Sequence, residues 1–223
     1  MTTHTTLTTP RLLLREARPS DAEALFEAFS DPEVMRYWST PPHPDIACTE
    51  NWIAGMIESA QNSVTDFVIC LRSGVEVESE EDVSGPIGKI GIYASRPSNE
   101  IGFLLSRQYW GKRYTKEALG VVLEYLFSLE NQDSHDVGRA GGGDAKGLIE
   151  WTVLTEDELM SRWLYPSITA DTDPRNAASI GLLKQLEFVE NGCQKESLVV
   201  GDEIVDSLYL KLEREIWLQR DAQ

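Results

Sequence analysis

The stretch Asn99-Glu-Ile-Gly-Phe-Leu-Leu-Ser-Arg-Gln-Tyr-Trp-Gly-Lys-Arg-Tyr-Thr-Lys-Glu117 decides the fold. Its first part reads as a strand: Ile101, Phe103 and Leu105 alternate, and Leu104 thickens the apolar run. The pattern breaks from Ser106 to Gly111. From Arg113 onward Ala118, Val122, Tyr125 or Leu126, and Leu129 recur at helical spacing. A strand that enters a helix through a short Gly-containing turn aims free backbone N–H groups at one point. Those donors, with the positive end of the helix dipole, attract an anion, most often a phosphate. Many such units bind nothing, so the turn alone names no ligand.

Outward from this stretch, the 223 residues suffice for one large domain or two small ones. Apolar segments on both sides of an irregular region at about 130–165 belong to one pattern, so a single domain over 1–223 is expected, with that region as an insertion. No apolar run reaches the roughly 20 residues of a membrane span, and the N-terminus lacks signal- and transit-peptide features. Cys48, Cys70 and Cys193 are widely spaced, odd in number and without zinc spacing. They read as reduced thiols of a cytoplasmic protein, Cys70 in the core and the other two at the surface. The formal net charge is −17, which disfavours nucleic acid and anionic membrane and favours cationic ligands such as amines. An anion site must then be locally positive; Arg107, Lys112, Arg113 and Lys116 form such a patch at the turn.

Before the stretch, residues 9–16 read as a first strand. Ser20 to Glu23 is a capping box opening a helix, and Asp31-Pro32 starts a short helix that runs to Tyr37-Trp38. The Pro-rich 39–45 loop carries His43, read as an exposed loop histidine. A helix over 49–61 and strands at 66–72, 87–93 and 99–105 follow. After the insertion come a short strand at 166–170 and a helix opened by Asp173-Pro174 that runs through Leu186. Two closing strands, 192–200 and 204–212, end the pattern. With Asp173 as the natural cap, Asn176 is left for another task.

Gln108-Tyr-Trp-Gly111-Lys-Arg113, after Glu-Ile-Gly-Phe-Leu-Leu, resembles the acyl-CoA pyrophosphate loop of the GNAT N-acetyltransferase superfamily, Gln/Arg-x-x-Gly-x-Gly/Ala. Its flanks resemble the ribosomal-protein N-terminal acetyltransferase-like (RimJ/RimL-like) branch, whose loop is often Tyr-Trp-Gly-Lys-Gly-Tyr. Tyr109 to Tyr114 match except at Arg113, where Gly or Ala is usual. Thr9, Arg11, Leu12, Leu14 and Arg15, then Asp31 to Met35, match the branch's opening Thr-x-Arg-Leu-x-Leu-Arg and Asp-Pro-Glu-Val-Met. Asn176, Ser179 and Phe188 match its Asn-x-x-Ser…Gly-Phe helix, with Glu187 in place of Gly.

The resemblance implies an α/β (α+β) GNAT acyl-CoA N-acyltransferase fold: a central mixed, mostly antiparallel sheet, splayed at the CoA cleft and flanked by helices. It implies an acetyl-CoA donor, no metal, and a primary amine acceptor, either a protein N-terminus or a small amine. The pantetheine would lie along Phe103, Leu104 and Leu105, with an N–H near Leu105 facing the oxyanion. Gln108, Tyr109, Gly111, Lys112, Arg113, Tyr114 and Thr115 would meet the pyrophosphate, and Asn176 and Ser179 the pantetheine arm. Tyr37 and Trp38 would wall the acceptor side, beside the plain reading that they pack a short helix. The amine itself attacks, so no Ser-His-Asp arrangement is needed and none is present. Glu100 is the candidate acid/base, a lone carboxylate at the head of an apolar strand. Relatives often protonate the departing thiolate with a Tyr; that position falls on Leu183, which leaves Ser179 or water. A catalytically silent CoA-binding or interaction module on the same fold is the alternative. The sequence leaves a homodimer open.

Overall fold

The computed structural model describes residues 5–61, 66–72, 83–95, 98–129, 165–200 and 203–220. The expected insertion at 130–165 falls outside these, apart from Tyr165. The strands are β1 (Thr6–Thr8), β2 (Leu12–Arg15), β3 (Asp66–Arg72), β4 (Val83–Ser95), β5 (Ser98–Leu105), β6 (Ser167–Thr172), β7 (Val189–Val200) and β8 (Glu203–Glu213). The helices are α1 (Ala22–Phe29), α2 (Ile46–Gln61), α3 (Tyr114–Ser128), α4 (Ala177–Lys184) and α5 (Arg214–Gln219). α5 has no counterpart in the sequence reading.

The strands form one eight-stranded sheet in the order β1-β2-β3-β4-β5-β6-β8-β7. Every neighbour is antiparallel except β5 and β6. That parallel pair meets in register at Glu100 and Thr169 alone, and beyond it the two strands part. The expected splay of the sheet therefore sits directly after Glu100.

Alternation along each strand sends side chains to two cores. Leu12 and Leu14, Phe67 and Ile69, Ile90 and Ile92, Ile101 and Leu105, and Ile168 pack under α3 and α5, whose Leu119, Leu123, Leu126 and Trp217 are buried with them. Leu13, Val68, Cys70 and Leu104 face the other way, toward Leu25 and Phe29 of α1 and Ile53 and Met56 of α2. Cys70 is buried and Cys193 exposed, as their settings suggest, while Cys48 is half-buried.

Four local readings need correction. Residues 31–40 form successive turns, without the expected short helix. Asp31 caps the first of these turns by accepting from the Glu33 N–H, and its carboxylate holds Arg107 at 2.9 Å. The capping box at Ser20–Glu23 is replaced by Asp21, which accepts from the Arg18 N–H at 2.7 Å and pairs with the Arg15 guanidinium. His43 is buried rather than exposed. Its ring stacks on Phe29 at 4.6 Å and Nδ1 lies 2.8 Å from Thr49 Oγ1, and burial pushes its pKa down. Asn176, not Asp173, caps α4: its side chain accepts from the Ser179 N–H at 3.1 Å. Asp173 instead grips the Arg175 guanidinium at 2.6 Å.

Candidate active site

Where β5 and β6 part, a cleft of about 380 Å³ opens. One wall is the end of β5, Phe103, Leu104 and Leu105. The opposite wall is the first turns of α4, Asn176, Ala178, Ser179 and Leu182. Trp110, Gly111 and Thr115 close it at the loop leading into α3, and Val34, Tyr37 and Trp38 close it from the turns after α1. Nine of the residues read from sequence as a site thus share one cavity: Phe103, Leu104, Leu105, Gly111, Thr115, Asn176, Ser179, Tyr37 and Trp38. Asn176 serves both as helix cap and as cleft wall.

The loop between β5 and α3 is built to expose amides. A single 3-10 turn, Arg107–Tyr109, follows β5. Gly111 then takes φ 72° and Arg113 φ 64°, both in the left-handed region. For Gly111 this conformation is easy, and nothing lies within 4 Å of a Cβ built there, so backbone angle alone demands glycine. Arg113 bears the cost of a side chain in that region, roughly 1–2 kcal/mol. It is the N-terminal cap residue of α3 and offers no side-chain cap bond, so the first amides of the helix stay free of one. Among the described residues the exposed Arg113 guanidinium has no hydrogen bond or ion pair.

The remaining predicted loop residues lie outside the cleft wall. Gln108 donates to Glu27 at 2.8 Å, a tether to α1. Tyr109 and Tyr114 pack against the core under α3. Lys112 sits over the Tyr109 ring at 5.2 Å. Sequence reading missed Glu33, Val34, Arg36, Trp110, Ala178 and Leu182, which also line the cleft. Trp110 is 48% exposed, yet its indole N–H donates to the Leu105 carbonyl at 2.7 Å and ties the loop to the strand it leaves. Leu182 was legible as the outward neighbour of the core position Leu183, which is 1% exposed and faces the core instead of the cleft.

Glu100 does not line the cleft. It stands on the same sheet face as Gly102 and Leu104, just before the strands part. Burial holds its carboxyl above the ordinary range, and the nearby Asp171 adds to this. Asp171 is itself raised by burial and accepts from the Ser207 hydroxyl at 3.2 Å. Between Glu100 and Leu104, a Cβ on Gly102 would lie 2.9 Å from the Tyr93 ring and 3.5 Å from Trp38, so glycine there lets two aromatics close over the strand. Tyr93 is held from behind. The fully buried Lys89 ammonium donates to its hydroxyl at 2.9 Å and to Asp66 at 2.9 Å. An apolar strand end and the start of α3, without a side-chain cap bond, meet at one cleft, and a carboxyl held above its ordinary range stands outside the cleft lining; this arrangement suits acyl transfer to an amine nucleophile.

A profile of the Acetyltransferase (GNAT) domain matches residues 11–189. The chain belongs to the GNAT acetyltransferase family. Over 201 residues, 90% of this chain and 92% of the relative, it is 25% identical to p20, an uncharacterised N-acetyltransferase of Bacillus licheniformis. A GNAT acetyltransferase of Bacillus anthracis has the same fold, with TM-score 0.66, 21% identity and coverage of 95% of this chain and 99% of that one. So does the Salmonella typhimurium acetyltransferase that modifies the N-terminal serine of ribosomal protein L7/L12, with TM-score 0.65, 13% identity and coverage of 94% and 99%. Family membership makes the protein an acyltransferase of the N-acetyltransferase class. Among the described residues no group of three or more His, Cys, Asp or Glu is arranged for a metal, and no helix is long and apolar enough to cross a membrane.

Proposed function

We propose that this GNAT protein transfers an acetyl group from acetyl-CoA to a primary amine, with the donor in the cleft between β5 and α4. The observation that carries this reading is the convergence of three separate segments on one cavity: the β5 end, the Gly111 loop and the Asn176 cap. The donor fits them chemically. Its pyrophosphate suits the amides of residues 109–114 and the Arg113 guanidinium, which has no ion pair among the described residues. Its pantetheine suits the β5 edge, which among the described residues has no partner beyond Glu100, with the Asn176 amide opposite.

Glu100 takes a proton from the attacking amine, directly or through water. Its raised pKa makes it the stronger base once ionised. The amine nitrogen bonds to the thioester carbonyl carbon, and the oxyanion faces backbone N–H near Leu105. The C–S bond then breaks, and the thiolate takes a proton from solvent, directly or relayed through the Ser179 hydroxyl, which regains one from solvent as Glu100 releases the amine's proton. One proton passes in net from nitrogen to sulfur. The Salmonella acetyltransferase of the same fold modifies an N-terminal serine, which supports a protein N-terminus as acceptor, and the acidic chain favours a cationic one.

The test is thiol release from acetyl-CoA with a panel of amines: tetrapeptides beginning with Ser or Ala, spermidine and an aminoglycoside. Turnover with at least one, lost in Glu100→Gln, is expected. Tight CoA binding without turnover on any amine would instead favour a silent CoA-binding module. No CoA binding would refute both.

A further inference from the structure

We propose that Arg11, far from the loop in sequence, is a positioning residue that aims the amides of the Gly111–Arg113 loop at their anion. The inference rests on the CoA reading of that loop and deepens it.

The Arg11 guanidinium makes three kinds of contact, all with the loop and the helix it opens. Nη1 donates to the Lys112 carbonyl at 3.1 Å. Nε donates to Glu117 Oε2 at 2.7 Å, and Nη2 reaches the same oxygen at 2.6 Å. The guanidinium carbon Cζ also lies 4.6 Å from the centre of the Tyr114 ring. The other Glu117 oxygen accepts from the Thr9 hydroxyl at 2.5 Å and the Arg11 N–H at 3.1 Å. These hydrogen bonds from Thr9 and Arg11 hold the Glu117 carboxyl below its ordinary value against the opposing effect of burial.

The base of this clamp is itself fixed. Thr9 and Leu12 close a turn, with the Thr9 N–H on the Leu12 carbonyl and the Leu12 N–H on the Thr9 hydroxyl, each at 2.9 Å. Arg72 of β3 then holds the turn from the sheet, its N–H on the Arg11 carbonyl at 3.0 Å and its guanidinium on the Thr9 carbonyl at 2.6 Å.

The Lys112 carbonyl is the decisive contact. It belongs to the peptide plane between Lys112 and Arg113. A trans peptide is planar, with C=O and N–H pointing opposite ways. Drawing that carbonyl to Arg11 therefore turns the Arg113 N–H to the other side, and Arg113 itself is in the left-handed region, as is Gly111 one residue before Lys112. A rigid, bidentate fork does this where a single ammonium point charge would not span both Lys112 and Glu117. The clamp also accounts for two motifs that sequence alone leaves unconnected: the opening Thr9-x-Arg11 and the loop-helix Gly111…Glu117 meet on one carboxylate.

The test is calorimetric titration of wild type, Arg11→Ala and Glu117→Gln with CoA and, separately, with pantetheine, which carries no phosphate. Arg11→Ala is expected to weaken CoA about tenfold, equivalent to about 1.4 kcal/mol, and to leave pantetheine unchanged. Glu117→Gln removes the carboxylate charge and leaves one acceptor oxygen where Thr9 and Arg11 now share two, and should weaken CoA in the same way. The double variant should be no weaker than Arg11→Ala, because both changes release one device. Unchanged CoA affinity in Arg11→Ala, or equal loss for CoA and pantetheine, would overturn the clamp. Failure of the wild type to bind CoA would instead refute the proposed function.

Discussion

Lys89 and Asp66 offer the sharpest energetic test of the sheet that carries the site. The Lys89 side chain is 0% and the Asp66 side chain 5% exposed, and they pair at 2.9 Å. Lys89 spends a second donor on Tyr93, while Asp66 Oδ1 has no hydrogen-bond partner among the described residues. Desolvation of such a pair offsets most of its attraction, but removal of one partner strands a buried charge and costs about 3–5 kcal/mol. Asp66→Leu puts methyls where the oxygens were, and Lys89→Met keeps the stem. Each single change should lower stability by about that amount. At about 2–4 °C per kcal/mol for a chain of this size, the fall in Tm is about 6–20 °C. The double change removes both charges in similar volume and should recover most of the loss. Urea and thermal unfolding of the four proteins measure this. Losses that simply add in the double variant would refute the reasoning, since the two groups would then be energetically independent.

Three further outcomes follow from the site. Burial, and then Asp171, hold the Glu100 carboxyl high, so the folded state binds that proton more tightly than the unfolded chain and loses stability as pH rises through the raised value. Glu100→Gln should therefore raise Tm at pH 7, with the gain fading below about pH 4, while turnover falls by about 100-fold or more. Gly111→Ala should fold, since a Cβ there meets no atom within 4 Å, yet lose about 1–2 kcal/mol through its φ and bind CoA distinctly more weakly by calorimetry. Arg113→Gly should relieve the strain at φ 64° and raise Tm by a few degrees, while weakening CoA through loss of the guanidinium; Arg113→Ala with CoA affinity unchanged or improved would refute a phosphate role for Arg113.

What was legible in the sequence depended on how local its cause was. The β5–loop–α3 unit carries its alternation, its glycine and its helical stripe within one stretch, so its elements are read within a residue or so of their bounds. Seven of the nine candidate residues that share the cleft lie in two of the quoted motifs, the β5–loop–α3 stretch and the Asn176 helix, while Tyr37 and Trp38 follow the opening motif. His43 escaped because its burial depends on Phe29 and Thr49, which lie in two other elements. Asn176 and Asp173 exchanged roles because Arg175 competes for the aspartate, leaving the asparagine to cap α4. Trp110 gave no periodic signal; its indole contact with Leu105 closes a loop that has no repeat. Turns at 31–40 resembled a helix by composition, but the Arg107 bridge to Asp31 ties the start of that segment to the loop after β5.

The central claim is that the cleft between β5 and α4 holds acetyl-CoA, with the pyrophosphate on the Gly111 loop. A crystal structure of the CoA complex tests it most directly. The expected result is the pyrophosphate on backbone amides between Tyr109 and Thr115, the pantetheine between the β5 end and Asn176, and the thiol directed toward the Glu100 side of the sheet. CoA bound away from this loop, or with its phosphates remote from the amides of Gly111 and Arg113, would contradict it.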